Sequence, residues 1–350
     1  MASFTCRSRP RQTASSMRVL VKGTGVAGLT AAFELARRGA TVEVSERNAE
    51  ASRGASFYAG GMLAPWCERE SADEAVLTLG QAALDWWDEA TPGLVIRHGT
   101  LVVAPARDKA ELSRFASRTA GYRWVDEGEI AALEPDLAGR FRSGLYFPGE
   151  GHLDPRLALK SLHTRLCGLG VRFHMGIPVD EQPFDRVVDC TGAAAVGEIA
   201  NLRGVRGEML YLATSEVSLS RAVRLLHPRI PLYIVPREPG RFMVGATMIE
   251  TEDAGAISAR SMMEFLNAAY AVHPAFGEAE IIETGTGVRP AYPNNLPKVT
   301  QEGRTVFING AHRHGFLLSP AMARQAAEIV CQDISGKEQD HETSGEWRRA

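Results

Sequence analysis

Close to its N-terminus the chain carries Gly23-x-Gly25-x-x-Gly28, set between a short β-branched run, Met17–Val21, and an Ala/Leu-rich run, Leu29–Arg38. After Gly39 comes a second β-branched run, Thr41–Ser45, closed by Glu46 at roughly the twenty-residue spacing of a dinucleotide fingerprint. The expected element order is strand, turn, helix, strand. In such a unit the first glycine makes the tight turn, and the second lets backbone N–H groups approach a pyrophosphate. The third lets helix and strand pack closely, while the helix N-terminus supplies partial positive charge. Glu46, followed by Arg47, would meet the ribose hydroxyls of an adenosine. The expected contact set is Gly23, Gly25, Val26, Ala27, Gly28, Glu46 and Arg47.

The chain has 350 residues, room for two or three domains and for a core that needs no disulfide or metal staples. Its formal net charge is −3, and its basic residues are scattered, so nothing resembles a nucleic-acid binder's electrostatic footprint. The expected partner is a small molecule. Charge-free stretches such as Ala55–Cys67 and Phe265–Gly277 fall well short of the roughly 20 apolar residues of a membrane-spanning helix. The 5 cysteines form no C-x-x-C pair, which argues against a disulfide framework or a zinc site and for a reducing, cytoplasmic setting. Residues 1–16 carry Arg7, Arg9 and Arg11 without an apolar core and read as a disordered leader, with Met17 opening the fold. Residues 335–350 read as a polar, disordered tail.

Between these ends, Ala75–Glu89 reads as a helix and Gly99–Ala104 as a strand. Proline-bounded turns follow at Pro135, Pro148 and Pro155, then a helix Pro155–Leu169 and strands Val171–Met175 and Arg186–Cys190. From Gly207 the pattern turns to short β runs, Glu208–Ala213, Leu232–Pro236 and Arg241–Ala246, the signature of an antiparallel sheet. A helix Ser258–Tyr270 follows, then a strand Thr305–Asn309 that leads through Gly310–Gly315 into a last helix, Pro320–Ile334. The nucleotide-type pattern thus lapses and resumes. The expected fold is a discontinuous Rossmann-like α/β domain (17–80, 150–204 and 300–334) interleaved with an α+β substrate domain on an antiparallel sheet (81–149 and 205–299).

Nicotinamide and flavin dinucleotides share the adenosine half, so Glu46 serves either. The small-residue segment Ala51–Pro65 interrupts the βα alternation that a nicotinamide enzyme would continue, which favours flavin.

Together these segments resemble the D-amino acid oxidase family, in its glycine oxidase branch, over most of Met17–Ile334. Ala51–Pro65 is similar to the family's flavin-cradling loop, which implies cofactor contacts at Ala55, Ser56, Gly60, Gly61 and Met62. The run from Val187 to Gly192 is similar to its second nucleotide-contact strand, which implies Thr191 and Gly192, and Val179 falls where the family places a valine on the adenine side. Tyr233–Arg237 and Gly245–Met248 resemble the sheet that walls the substrate pocket, Gly287–Pro290 with Pro293–Pro297 the carboxylate-binding segment, and Gly310–Pro320 the loop that closes over the flavin.

The resemblance implies non-covalent FAD, since no cysteine lies inside Ala51–Pro65 or near Arg289. It also implies an amino acid substrate, dioxygen as the electron acceptor and self-association. Arg289 would neutralise the substrate carboxylate, Tyr233 would place its hydroxyl on that carboxylate or near the amine, and Met248 would shape the pocket. Arg313 would lie beside the substrate, with Ala311, His312, His314, Gly315, Phe316 and Leu317 around the flavin. His312-x-His314 alone is two ligands with no carboxylate in view, so no metal is expected. The sequence departs from some glycine oxidases in having Pro231 where they have histidine, and in a short connection from Val179 to Val187. A flavin dehydrogenase that uses another electron carrier and a non-catalytic FAD-binding protein remain as alternatives.

Overall fold

Val19, Leu20 and Val21 are all buried, as a continuous apolar run requires in a strand covered on both faces. Their strand, Arg18–Lys22, lies inside a six-stranded sheet, paired in parallel with Thr41–Glu46 on one side and Arg186–Asp189 on the other. Arg172–Met175 extends the first side, and Thr305–Asn309 with the antiparallel Lys298–Glu302 extends the second. The structure, a computed structural model, describes residues 17–49, 54–105, 108–226 and 231–343. The expected leader, residues 51–53 of the expected cofactor loop and residues 344–350 lie outside the described residues.

A second, eight-stranded sheet runs in the order Glu280–Ala291, Arg203–Ala213, Arg241–Gly245, Pro231–Pro236, Ala222–Leu226, Thr100–Val103, Ser143–Phe147, Arg123–Asp126. It is antiparallel except where Ala222–Leu226 meets Thr100–Val103. Helix Ala259–Val272 closes one face around Phe265, Phe242 and Ile234. Among the described residues, no helix is long and apolar enough to cross a membrane.

The expected helix over Ala75–Glu89 is two helices, Glu74–Gly80 and Ala83–Ala90. The break comes where Gly80 meets the last helix so closely that a Cβ would lie 2.8 Å from the Leu317 side chain. The second of these helices delivers Trp86 and Trp87 into the core of the first sheet, against Phe33 and Phe316, although residue 81 was expected to open the substrate domain.

The last helix, expected from Pro320, runs Gly315–Thr343. A proline inside a helix lacks the N–H that would bond the carbonyl four residues back, here that of Phe316. The Trp87 indole N–H donates to that carbonyl at 2.8 Å, so the orphaned acceptor is satisfied and the helix starts early. It also continues through residues 335–343 of the expected disordered tail, where Lys337, Glu338 and Gln339 favour helix.

Gly28 packs so tightly that a Cβ there would lie 1.9 Å from the Gly23 carbonyl oxygen. Gly28→Ala must shift backbone and should lower stability by about 1–3 kcal/mol, read as a lower urea midpoint. Gly168→Ala, where an added Cβ meets nothing within 4 Å, should leave the midpoint unchanged or slightly raised. Equal midpoints for the two variants would remove the Gly23–Gly28 contact as a constraint on the fold.

Candidate active site

Between the two sheets lies a cavity of about 930 Å³, at the upper end of the range for ligand sites. One end is built by the fingerprint turn. Gly23, Gly25, Val26, Ala27, Glu46, Arg47, Val179, Thr191 and Gly192 all line it. Gly28 does not, because the contact that fixes it faces Gly23 rather than the cavity. Glu46 is held by Thr24, whose hydroxyl donates to it at 2.8 Å, and by the Asn48 side chain at 3.0 Å. Helix Val26–Arg37 has no side-chain N-cap, but the Val26 N–H donates to the Ser56 hydroxyl at 3.1 Å. The loop from residue 54 is thereby tied to the turn.

Strand Glu280–Ala291 forms the middle of the wall. Its pairing with Arg203–Ala213 sets Gly287 opposite Gly207. A Cβ at Gly287 would lie 2.8 Å from the Ala55 Cα, and one at Gly285 2.2 Å from the Tyr58 ring. These two glycines let the loop lie directly on the strand. Ala55, Ser56, Gly60, Gly61 and Met62 of that loop line the cavity.

Arg289 reaches the cavity from the same strand. Its guanidinium passes over Gly207, where a Cβ would lie 2.0 Å from Nη2, and donates to the Thr247 carbonyl at 2.9 Å. Gly207 was not singled out from the sequence, since a glycine in a strand does not show which side chain crosses it. No carboxylate among the described residues pairs with Arg289. Burial, then the neighbouring Arg313 charge, bring its pKa down to about 10, so it remains cationic at neutral pH.

The turn that carries Arg313 is fastened to the end of this strand by a bridge from Ala291 to Ala311 and by the His312 N–H donating to the Pro290 carbonyl at 2.9 Å. Ala311, His312, Arg313, His314, Gly315, Phe316 and Leu317 all line the cavity, as do Tyr233 and Met248. Burial, then the His314, Arg289 and Arg313 charges, push His312 down to about 3, so it is neutral at working pH.

The expected use of Tyr233 and Arg313 differs from where their polar atoms go. Both converge on Glu68, which sequence reasoning did not single out. Glu68 follows the flavin-type loop on the short helix Pro65–Arg69 and is buried. The Tyr233 hydroxyl donates to Glu68 Oε1 at 2.6 Å. Arg313 donates to Oε2 through Nε, at 2.7 Å, and through Nη2. His314 Nε2 lies 3.0 Å from the same oxygen. Burial opposes the Glu68 charge, but the Arg313 guanidinium, His314 and Arg224 outweigh it and hold the carboxyl well below the ordinary carboxylate range. The carboxylate that seemed absent beside His312-x-His314 thus arrives from a distant segment, with a guanidinium already on its oxygens.

The cavity fits FAD on three grounds. Its first end has the glycine turn and helix start that suit a pyrophosphate. The glycines at 285 and 287 leave the loop no side chains to separate it from the strand. Two buried polar atoms on lining residues, the Ser319 hydroxyl and His314 Nδ1, have no hydrogen-bond partner among the described residues.

A dinucleotide fold whose cavity runs from the glycine turn and Glu46 to Arg289 suits a flavoprotein oxidoreductase. Residues 18–329 match the FAD dependent oxidoreductase family, and the chain belongs to it. It is 64% identical over 312 residues to a Rhizobium etli protein provisionally named thiamine biosynthesis oxidoreductase ThiO, covering 89% of this chain and 95% of that one. It is 29% identical over 349 residues to the glycine oxidase of Geobacillus kaustophilus, covering 89% of this chain and 92% of the relative. The crystal structure of a glycine oxidase from that organism superposes with a TM-score of 0.74 at 24% identity, over 91% of this chain and 95% of that one, and shows the shared fold.

The buried Glu68 predicts an acid limb in stability. Its folded pKa is depressed, so its contribution is complete above the pH where an ordinary glutamate ionises and is lost as pH falls through the lower folded value. Glu68→Gln should therefore lose stability near neutral pH and show a flatter fall in melting temperature on acidification than the wild-type protein. Parallel melting curves would mean that Glu68 is not held ionised.

Proposed function

We propose that this chain is an FAD-dependent amine oxidase acting on glycine or a similarly small amine such as sarcosine or a small D-amino acid. The products would be an imine, hydrolysed to a 2-oxo acid with ammonia (methylamine from sarcosine), and hydrogen peroxide. The observation that carries this reading is Arg289: a cavity-lining guanidinium with no carboxylate partner among the described residues, pinned by the Thr247 carbonyl and given room by Gly207. A planar guanidinium fixes both the charge and the angle of a substrate carboxylate through two parallel hydrogen bonds.

Bound FAD supplies the two-electron acceptor that dioxygen regenerates, and Gly23, Gly25, Val26, Ala27, Glu46, Arg47, Ala55, Ser56, Gly60, Gly61 and Met62 with Val179, Thr191 and Gly192 would hold it. Non-covalent binding is supported by Cys67, the cysteine next to the loop. Burial, only partly opposed by Arg224, pushes its thiol up to about 12, so it is no nucleophile at working pH. Arg289 orients the substrate, Met248 and the Tyr233 ring narrow the space beside it, and the neutral His312 adds no competing positive charge. No residue is required as a general base, because a substrate whose amine is already neutral can give up its Cα hydrogen with the nitrogen lone pair stabilising the developing cation. Positioning then accounts for most of the rate. The similarity to a protein named for thiamine biosynthesis supports a role in which the glycine imine feeds thiazole formation.

Anaerobic addition of glycine, sarcosine or D-alanine to the yellow holoprotein should bleach the flavin, and air should restore it with release of hydrogen peroxide. Bleaching without peroxide would instead assign a carrier-linked dehydrogenase. Arg289→Ala should keep its flavin and lose about 10²–10⁴-fold in the rate of bleaching per unit glycine, as expected when one partner of a buried ion pair is removed. An unchanged rate would take Arg289 out of the site. Turnover should rise between about pH 7 and 9 as neutral amine becomes available, and a flat profile would count against oxidation of the neutral amine.

A further inference from the structure

We infer that Glu68 is a specificity-determining residue: by neutralising Arg313 it leaves Arg289, of these two, as the free carboxylate anchor, and so restricts the cavity to monocarboxylate amines. This inference rests on the reading of the cavity as an amino acid site.

The two arginines are neighbours. Arg289 donates to the Thr247 carbonyl, and the Nη1 of Arg313 lies 3.6 Å from the sulfur of the next residue, Met248. Both side chains line the cavity, and the Arg313 charge is felt at Arg289. Two unpaired guanidiniums so placed would favour a substrate with two carboxylates, one on each. Glu68 prevents that in two ways. It occupies the Nε and Nη2 donors of Arg313, leaving the Nη1 edge with only a thioether, a weak acceptor. It also sets a buried negative charge, itself a lining residue, where a second carboxylate would have to come, and like charges in a poorly solvated site repel strongly. The Tyr233 hydroxyl is drawn onto the same carboxylate, which removes another donor from the substrate side.

The test compares acetate with malonate as probes, titrated by calorimetry into the FAD-loaded protein. Wild-type protein should bind acetate more tightly than malonate; malonate binding at least as tight as acetate would overturn the inference without any variant. In Glu68→Gln, which keeps the side-chain shape and loses the charge, the ratio of malonate to acetate affinity should rise by about tenfold or more, the worth of one hydrogen bond to a charged group. In Glu68→Gln with Arg313→Met the ratio should fall back to the wild-type value, because the second anchor is gone. A ratio unmoved by Glu68→Gln, or a rise that survives the loss of Arg313, would overturn the assignment. A failure of glycine to bleach the flavin would sink the proposed activity while leaving this ratio readable.

Discussion

The contact on which this molecule turns is the approach of the loop from residue 54 to the strand Glu280–Ala291. Gly287 and Gly285 leave no Cβ in the way, so Ala55 and Tyr58 rest on the strand itself. That strand belongs to the eight-stranded sheet, while the loop is tied through Ser56 to the first helix of the six-stranded sheet. The contact therefore joins the two halves along the wall of the cavity. It places Arg289, two residues beyond Gly287, within the same cavity as the fingerprint turn. Side chains at these two positions would separate the sheets and move the cation away from the turn. Glycine here weakens the strand as a strand and strengthens the site as a site.

Much of this was legible in the sequence, and what was missed has a common physical cause. The fingerprint unit, the return of nucleotide-type strands near residue 186 and the antiparallel pattern after Gly207 rest on local periodicity, and all three are present. The twelve-residue strand Glu280–Ala291 went unseen because its glycines and Thr-rich face look like a loop; what stabilises it is a partner strand with eleven paired positions, invisible to a local window. The early start of the last helix depends on an indole N–H supplied by Trp87, more than two hundred residues away. Glu68 reads as one acid in Glu68-Arg69-Glu70, an ordinary solvated patch, until the fold brings Tyr233, Arg313 and His314 to it.

Clustering ionisable groups in this way is expensive, and apolar residues of the same volume could fill the space with similar or greater stability. Arg224 shows how far the cluster extends: it is buried, and it donates to the Cys67 carbonyl at 2.9 Å and to the Tyr233 hydroxyl at 3.2 Å, with Glu70 at 3.3 Å. The return is directional. Each donor on Glu68 fixes the side chain that carries it, so the ring of Tyr233 and the stem of Arg313 become rigid walls rather than mobile ones. Under the proposed activity, whose rate would depend on placing a Cα–H bond, rigid walls gain more than they cost in stability, since small displacements of the reacting atoms are costly.

The arrangement also divides labour between two like charges. Arg289 and Arg313 repel each other, and burial penalises the charge of Arg289, yet among the described residues only Arg313 has a buried counter-ion. The paired arginine behaves as part of the frame. The unpaired one carries a net field into the cavity that a carboxylate can satisfy and an ammonium group cannot. Under the proposed activity, a small zwitterion entering this field would be turned carboxylate-first toward Arg289, with its amine directed to the opposite side. In that pose the unpaired cation would still disfavour a second positive charge on the substrate, and so would favour the neutral amine on which the proposed chemistry depends.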